Sequence, residues 1–145
     1  MENYVSNSEL ETKEIAKKLA SKLHVGDVVV LSGDLGAGKT KFTEGFLSFW
    51  NLENEISSPT FTIVNEHTSG DVNIYHFDVY RLSDVDEFYA IGGQEYFEKG
   101  ICIIEWGELI EDALPSNYIK VEIQKDESKE NTRYIKINFL GDNKC

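Results

Sequence analysis

Val28-Val29-Val30-Leu31-Ser32-Gly33-Asp34-Leu35-Gly36-Ala37-Gly38-Lys39-Thr40-Lys41-Phe42 is the stretch whose reading decides the fold of this 145-residue chain. It opens on four apolar residues in a row, the pattern of a strand covered on both faces in a parallel sheet. Then come Gly33, four further residues, and Gly38-Lys39-Thr40. It closes on a segment where Phe42, Phe46, Phe49 and Trp50 repeat at helical spacing, which predicts a helix packed by these aromatics on the sheet. Strand, glycine-rich turn and helix in that order make a phosphate-binding loop, and average residue usage gives this pattern by chance in about 0.5% of chains this long.

Each fixed position answers a need of a polyphosphate. Glycines let the backbone take positive φ and approach a ligand closely. Successive N–H groups across Gly36, Ala37, Gly38, Lys39, Thr40 and Lys41 then form an anion nest at a helix N-terminus. The Lys39 ammonium would meet the β and γ phosphates, and the Thr40 hydroxyl is placed to ligate Mg²⁺. A nucleotide with magnesium is the expected ligand.

Working outward, Ser8-Glu9-Leu10-Glu11 has the form of a capping box, followed by Ile15, Ala16, Leu19, Ala20 and Leu23 on one helical face. From Phe61 to Tyr80 the signal changes to two strands around Thr68-Ser69-Gly70-Asp71, a hairpin. In its second strand His76, Asp78 and Tyr80 share one parity and Phe77 and Val79 the other. Acidic Asp84 to Glu98 reads as short helical pieces broken at Gly92-Gly93. A second apolar run, Ile101-Cys102-Ile103-Ile104, ends in Glu105-Trp106, and two alternating strands joined by the charged loop Lys125 to Asn131 close the chain. The fold class expected is α/β: a single phosphate-loop NTPase-like domain over residues 1–145, with parallel central strands flanked by antiparallel hairpins and helices on both faces.

Ligands of open α/β sheets bind at the carboxyl ends of the strands, which singles out Glu105. It is read as holding Mg²⁺ or positioning the attacking water, against the alternative of capping the segment that follows. Trp106 either stacks on a base or closes the core. Asp78 is a second metal-sphere carboxylate or a base, against a plain hairpin contact. His76 is read as structural. Thr60, after Ser58-Pro59, is read as a nucleotide-sensing switch whose hydroxyl reaches Mg²⁺, against an ordinary turn.

Composition bounds the rest. Fourteen basic against twenty-six acidic residues give a net charge of −12, with Arg81 and Arg133 the only arginines. Such a surface repels nucleic-acid phosphate and anionic membranes unless a partner supplies positive charge. No apolar stretch reaches the length of a bilayer span, and Met1-Glu2-Asn3-Tyr4 lacks the basic and apolar parts of a signal peptide, so the expected location is cytoplasmic. Cys102 and Cys145 read as free thiols.

The runs Leu31 to Thr40, Ser58-Pro59-Thr60-Phe61, His76-Phe77-Asp78-Val79-Tyr80-Arg81-Leu82 and Glu105-Trp106 resemble, in order and spacing, the TsaE family, also called YjeE. The resemblance runs from about Ser8 to about Phe139. It implies a bacterial ATPase acting with TsaB and TsaD in making threonylcarbamoyladenosine on tRNA. TsaD would transfer the threonylcarbamoyl group, and ATP hydrolysis would let the complex turn over, so tRNA is met only through the complex, with no DNA or membrane partner. Carried over, Lys39 and Thr40 fall on the phosphate and Mg²⁺ positions, Glu105 on the Mg²⁺-linked acid and Asp78 on an acid tied to hydrolysis. Thr12 falls on a threonine near the adenine and Arg133 on a C-terminal arginine near the nucleotide.

An arginine finger is worth roughly 10³ to 10⁵ in rate, so a chain with two arginines is expected to be slow alone and activated by its partners. Three other readings compete. A small GTPase needs a guanine motif that is missing. A small-molecule kinase needs an arginine-rich lid. A nucleotide-gated binding module would hydrolyse ATP only incidentally.

Overall fold

The computed structural model describes residues 2–33, 38–52, 64–79 and 84–140. Gly36, Ala37, Thr60, Tyr80, Arg81 and Cys145 lie outside them, as do the Ser58-Pro59 turn and the first residues of the expected hairpin.

Among the described residues seven strands form one mixed sheet: β1 (Glu2–Ser6), β2 (Val28–Gly33), β3 (Val64–Ser69), β4 (Val72–Asp78), β5 (Ile101–Glu105), β6 (Tyr118–Lys125) and β7 (Arg133–Leu140). Their order is β1-β7-β6-β2-β5-β4-β3. The central neighbours β6–β2, β2–β5 and β5–β4 are parallel, while β6–β7, β7–β1 and β4–β3 are antiparallel. The expected α/β architecture of parallel strands flanked by antiparallel hairpins is therefore present.

Both apolar runs occupy the middle of the sheet, and their alternate residues feed two separate cores. Val29, Leu31, Ile101 and Ile103 join one cluster, and Val28, Val30, Cys102 and Ile104 the other. Helices α1 (Glu9–Ala20) and α2 (Lys39–Ser48) cover the first through Ala16, Leu19, Phe42 and Phe46. Helices α3 (Val85–Ala90) and α4 (Tyr96–Lys99), with the 3₁₀ segment Gly107–Ala113, cover the second through Phe88, Phe97 and Ile110. Where α1 crosses α2, a Cβ on Gly45 would stand 2.3 Å from the Lys13 carbonyl oxygen, so only glycine allows this approach.

Local signals held with small adjustments. Ser8 caps α1 by accepting from the Glu11 amide at 3.1 Å, but the returning Glu11 carboxylate accepts from the Asn7 amide at 2.6 Å, one residue before the cap. The α3–α4 break falls at Gly92, in the left-handed region at φ 73°. Phe49 departs from the expected core role: it is 41% exposed and stands edge-on to Trp50. Phe49 keeps helical dihedrals, φ −58° and ψ −32°, just past the end of α2 at Ser48, and there Trp50 rather than Phe49 packs against the core. Strand β1 carried no signal in the sequence: Glu2–Ser6 is short and mostly polar, and it forms by pairing with β7 at the sheet edge.

Candidate functional site

The strand ends bring the predicted chemistry to one place. Strand β2 runs through Leu31 to Gly33, and the described chain resumes at Gly38, which takes φ 105° as the residue before α2. Helix α2 begins at Lys39, so the amides of Lys39, Thr40 and Lys41 are those of a helix N-terminus, which attracts anions by about 0.3–1 kcal/mol on an exposed surface. In register, Leu31 of β2 lies beside Glu105 of β5, and Glu105 beside Asp78 of β4. Two carboxylates thus close adjacent parallel strands beside the end of β2.

A cleft of about 400 Å³ opens over these strand ends. Every predicted site residue that the structure describes lines it: Thr12, Gly38, Lys39, Thr40, Lys41, Asp78, Glu105, Trp106 and Arg133. Ser8, Glu9 and Asn131 line it too, and the sequence did not single them out for the site. Ser8 and Glu9 carry the start of α1 to the cleft. Asn131 sits in the charged β6–β7 loop, where no local pattern marks it.

Lys39 is the most telling group. It is only 7% exposed, and its Nζ has no hydrogen-bond partner among the described residues. Instead the ammonium rests 3.7 Å from the centroid of the Trp106 ring. Such stacking is worth about 0.5–2 kcal/mol, whereas leaving a buried donor unmet costs about 1–3 kcal/mol or more for a charge. The balance favours an anion that can accept from the amine.

Trp106 has φ 65°, a left-handed conformation that costs a bulky residue roughly 1–2 kcal/mol. The chain needs the bend because Gly107 packs directly on β2: a Cβ there would sit 2.6 Å from Val30 Cγ1. Trp106 is also the residue before the 3₁₀ segment. The Glu105 Oε2 pairs with His76 Nε2 at 2.6 Å, and both side chains are largely buried.

The other groups are set by the surrounding backbone. Thr12 is buried, its Oγ1 bonded to Ser6 Oγ at 2.7 Å, which ties α1 to β1 at the cleft wall. Arg133 donates from Nη1 to the Glu130 carbonyl at 2.7 Å and the Thr132 carbonyl at 3.0 Å. A Cβ on Gly38 would lie 3.8 Å from Arg133 Nε, so this arginine borders the start of α2. The Lys41 ammonium pairs with Glu44 at 3.2 Å and Glu9 at 3.9 Å, and the bond to Glu44 raises its pKa. Lys41 thus has its backbone to offer a ligand, its charge being engaged. On the far face of β5, burial pushes the Cys102 thiol up to about 12, so it is an inert core residue.

The residues fit a nucleotide polyphosphate. Among the described residues no three or more His, Cys, Asp or Glu are arranged to hold a metal unaided. Mg²⁺ is commonly held by one or two carboxylates together with substrate phosphates, and the strand ends bring two carboxylates, Asp78 and Glu105, to the cleft.

Comparison with known proteins agrees with the sequence resemblance. Residues 6–135 match the family described as Threonylcarbamoyl adenosine biosynthesis protein TsaE. The chain is 45% identical over 125 residues to the tRNA threonylcarbamoyladenosine biosynthesis protein TsaE of Bacillus subtilis, covering 84% of this chain and 78% of that one. It is 39% identical over 138 residues to the protein of that name from Rickettsia typhi, covering 94% and 96%. Its fold resembles a crystal structure of Bacillus subtilis YdiB with a TM-score of 0.74 and 36% identity, over 97% of this chain and 86% of that one. No described helix is long and apolar enough to cross a membrane.

Proposed function

This chain belongs to the TsaE family, and on that premise we propose that it is the ATP-binding and ATP-hydrolysing subunit of the machinery for tRNA threonylcarbamoyladenosine. Its relatives are named for threonylcarbamoyladenosine biosynthesis. The observation that carries the ATPase reading is the buried Lys39 amine, stacked on Trp106 in a cleft that also holds Asp78 and Glu105.

In this reading the domain is of the phosphate-loop NTPase kind. The amides at the start of α2 donate to a phosphate oxygen, and Lys39 leaves the indole for the β and γ phosphates. A charge-assisted bond of about 1.5–3 kcal/mol exceeds the stacking it replaces. Thr40 and Glu105 hold Mg²⁺, with Thr60 assigned to the same ion, and the bound ion supplies charge neutralisation at the phosphates. Asp78, beside Glu105, orients the attacking water and accepts its proton. Thr12, Trp106 and Arg133 are assigned to the nucleoside end, and Gly36, Ala37, Gly38 and Lys41 contribute backbone.

Phosphoryl transfer depends on positioning and on neutralising charge. The Arg133 Nη1 donors are already taken by two carbonyls and its charge is assigned to the nucleoside end, so no guanidinium is assigned to the transferring phosphate. The isolated chain is therefore slow, and docking on TsaB and TsaD completes the site. The −12 charge fits contact with tRNA only through those partners.

Reconstituted tRNA modification, run with and without this chain under single and multiple turnover, tests the reading. Dependence confined to multiple turnover is the expected result. Equal hydrolysis by the isolated chain and the full complex would contradict the activation. Full modification by a Glu105→Ala chain, with partner binding lost in Lys39→Ala, would make it a nucleotide-gated module instead.

A further inference from the structure

His76 is buried at 4% exposure in β4, between Ile103 of β5 and Asn65 of β3. Its register partner is Ile103, yet its Nε2 bonds to Glu105, two residues further along β5. That diagonal spans roughly 8 Å between backbones, for strands about 4.8 Å apart and about 3.3 Å per residue. An imidazole reaches across it, and a shorter polar side chain does not.

The geometry points to His76 as the positioning residue of Glu105, an inference that rests on the nucleotide reading above. Glu105 needs such a partner because Asp78 is its direct neighbour across the strands, and like charges so placed repel. With Glu105 ionised, only His76 can supply the hydrogen, so Nε2 carries it. The Nδ1 atom is buried with no hydrogen-bond partner among the described residues, where the bond to Glu105 is what orients the ring. The bond takes up Oε2, so Oε1 is the oxygen assigned to the ion. His76 therefore acts through Glu105, as residues behind metal ligands do, where substitution typically costs 10–100-fold in metal affinity or activity.

The test is calorimetric titration of ATP, with and without Mg²⁺, into the wild type, His76→Gln and His76→Asn. Both variants are polar and close in size, but only glutamine has the reach to donate to Glu105. The expected result is that His76→Asn loses about 10–100-fold of the magnesium-dependent affinity and keeps its metal-free ATP affinity, while His76→Gln retains most of both. In a Glu105→Gln background, His76→Asn is expected to add nothing further. Full magnesium dependence in His76→Asn, equal losses in the two variants, or additive losses in the double variant would overturn the inference. A wild type that binds ATP without help from Mg²⁺ overturns it too, whereas one that takes up no ATP at all overturns the nucleotide reading beneath it.

Discussion

Strand β4 presents opposite chemistries to the two faces of the sheet. Toward α3 and α4 it places Tyr75 and Phe77, followed by Val79, and Phe77 meets Phe88 and Tyr96 in a continuous aromatic layer. Toward α1 and α2 it begins apolar with Ile74, then turns polar with His76 and Asp78 as it nears the cleft. A parallel strand covered on both faces is normally apolar throughout. The departure is confined to one face and one end, where Glu105 and Lys39 also lie. Both faces pack helices on the sheet, and only the cleft end of one turns polar.

Substitutions on each face can break or sharpen this division. The largest stability effect is expected from Phe77→Ala, at about 3–5 kcal/mol in urea unfolding, with the ATP affinity of the folded protein unchanged. A parallel loss of affinity would blur the two faces. Glu105→Gln is expected to lower hydrolysis by about 10²-fold, or about 2.7 kcal/mol in barrier, while changing stability by less than about 1.5 kcal/mol. Unimpaired hydrolysis would remove Glu105 from the chemistry.

The smallest effect concerns charge on the apolar face. Burial raises the Cys102 thiol to about 12, above its unfolded value of about 8.5. An acid raised by folding supports the fold below the unfolded value and loses that support as pH climbs toward the folded one. Stability is thus expected to fall by about 1–2 kcal/mol by pH 10 relative to Cys102→Ala. Identical pH profiles for the two proteins would show that this face tolerates a thiolate.

The same contrast explains what was legible in the sequence. Continuous apolar runs marked β2 and β5, the parity of β4 separated Phe77 from Asp78, and the motif fixed where α2 begins. All of these are local patterns. Strand β1 was not legible because Glu2–Ser6 has no alternation of its own and exists through β7. Phe49 misled because helical periodicity marks a face without showing how far along it the core extends. His76 read as structural because its partner lies on a diagonal of the register, and Asn131 reaches the cleft only through the folding of the β6–β7 hairpin.

Calorimetric titration of ATP with Mg²⁺ into the wild-type chain and Lys39→Ala tests the central claim most directly. Saturable uptake by the wild type, weakened about 10–100-fold in a Lys39→Ala chain that melts as the wild type does, is the predicted result. A wild type that takes up no ATP, or a Lys39→Ala chain that binds it equally well, would contradict a triphosphate held at the start of α2.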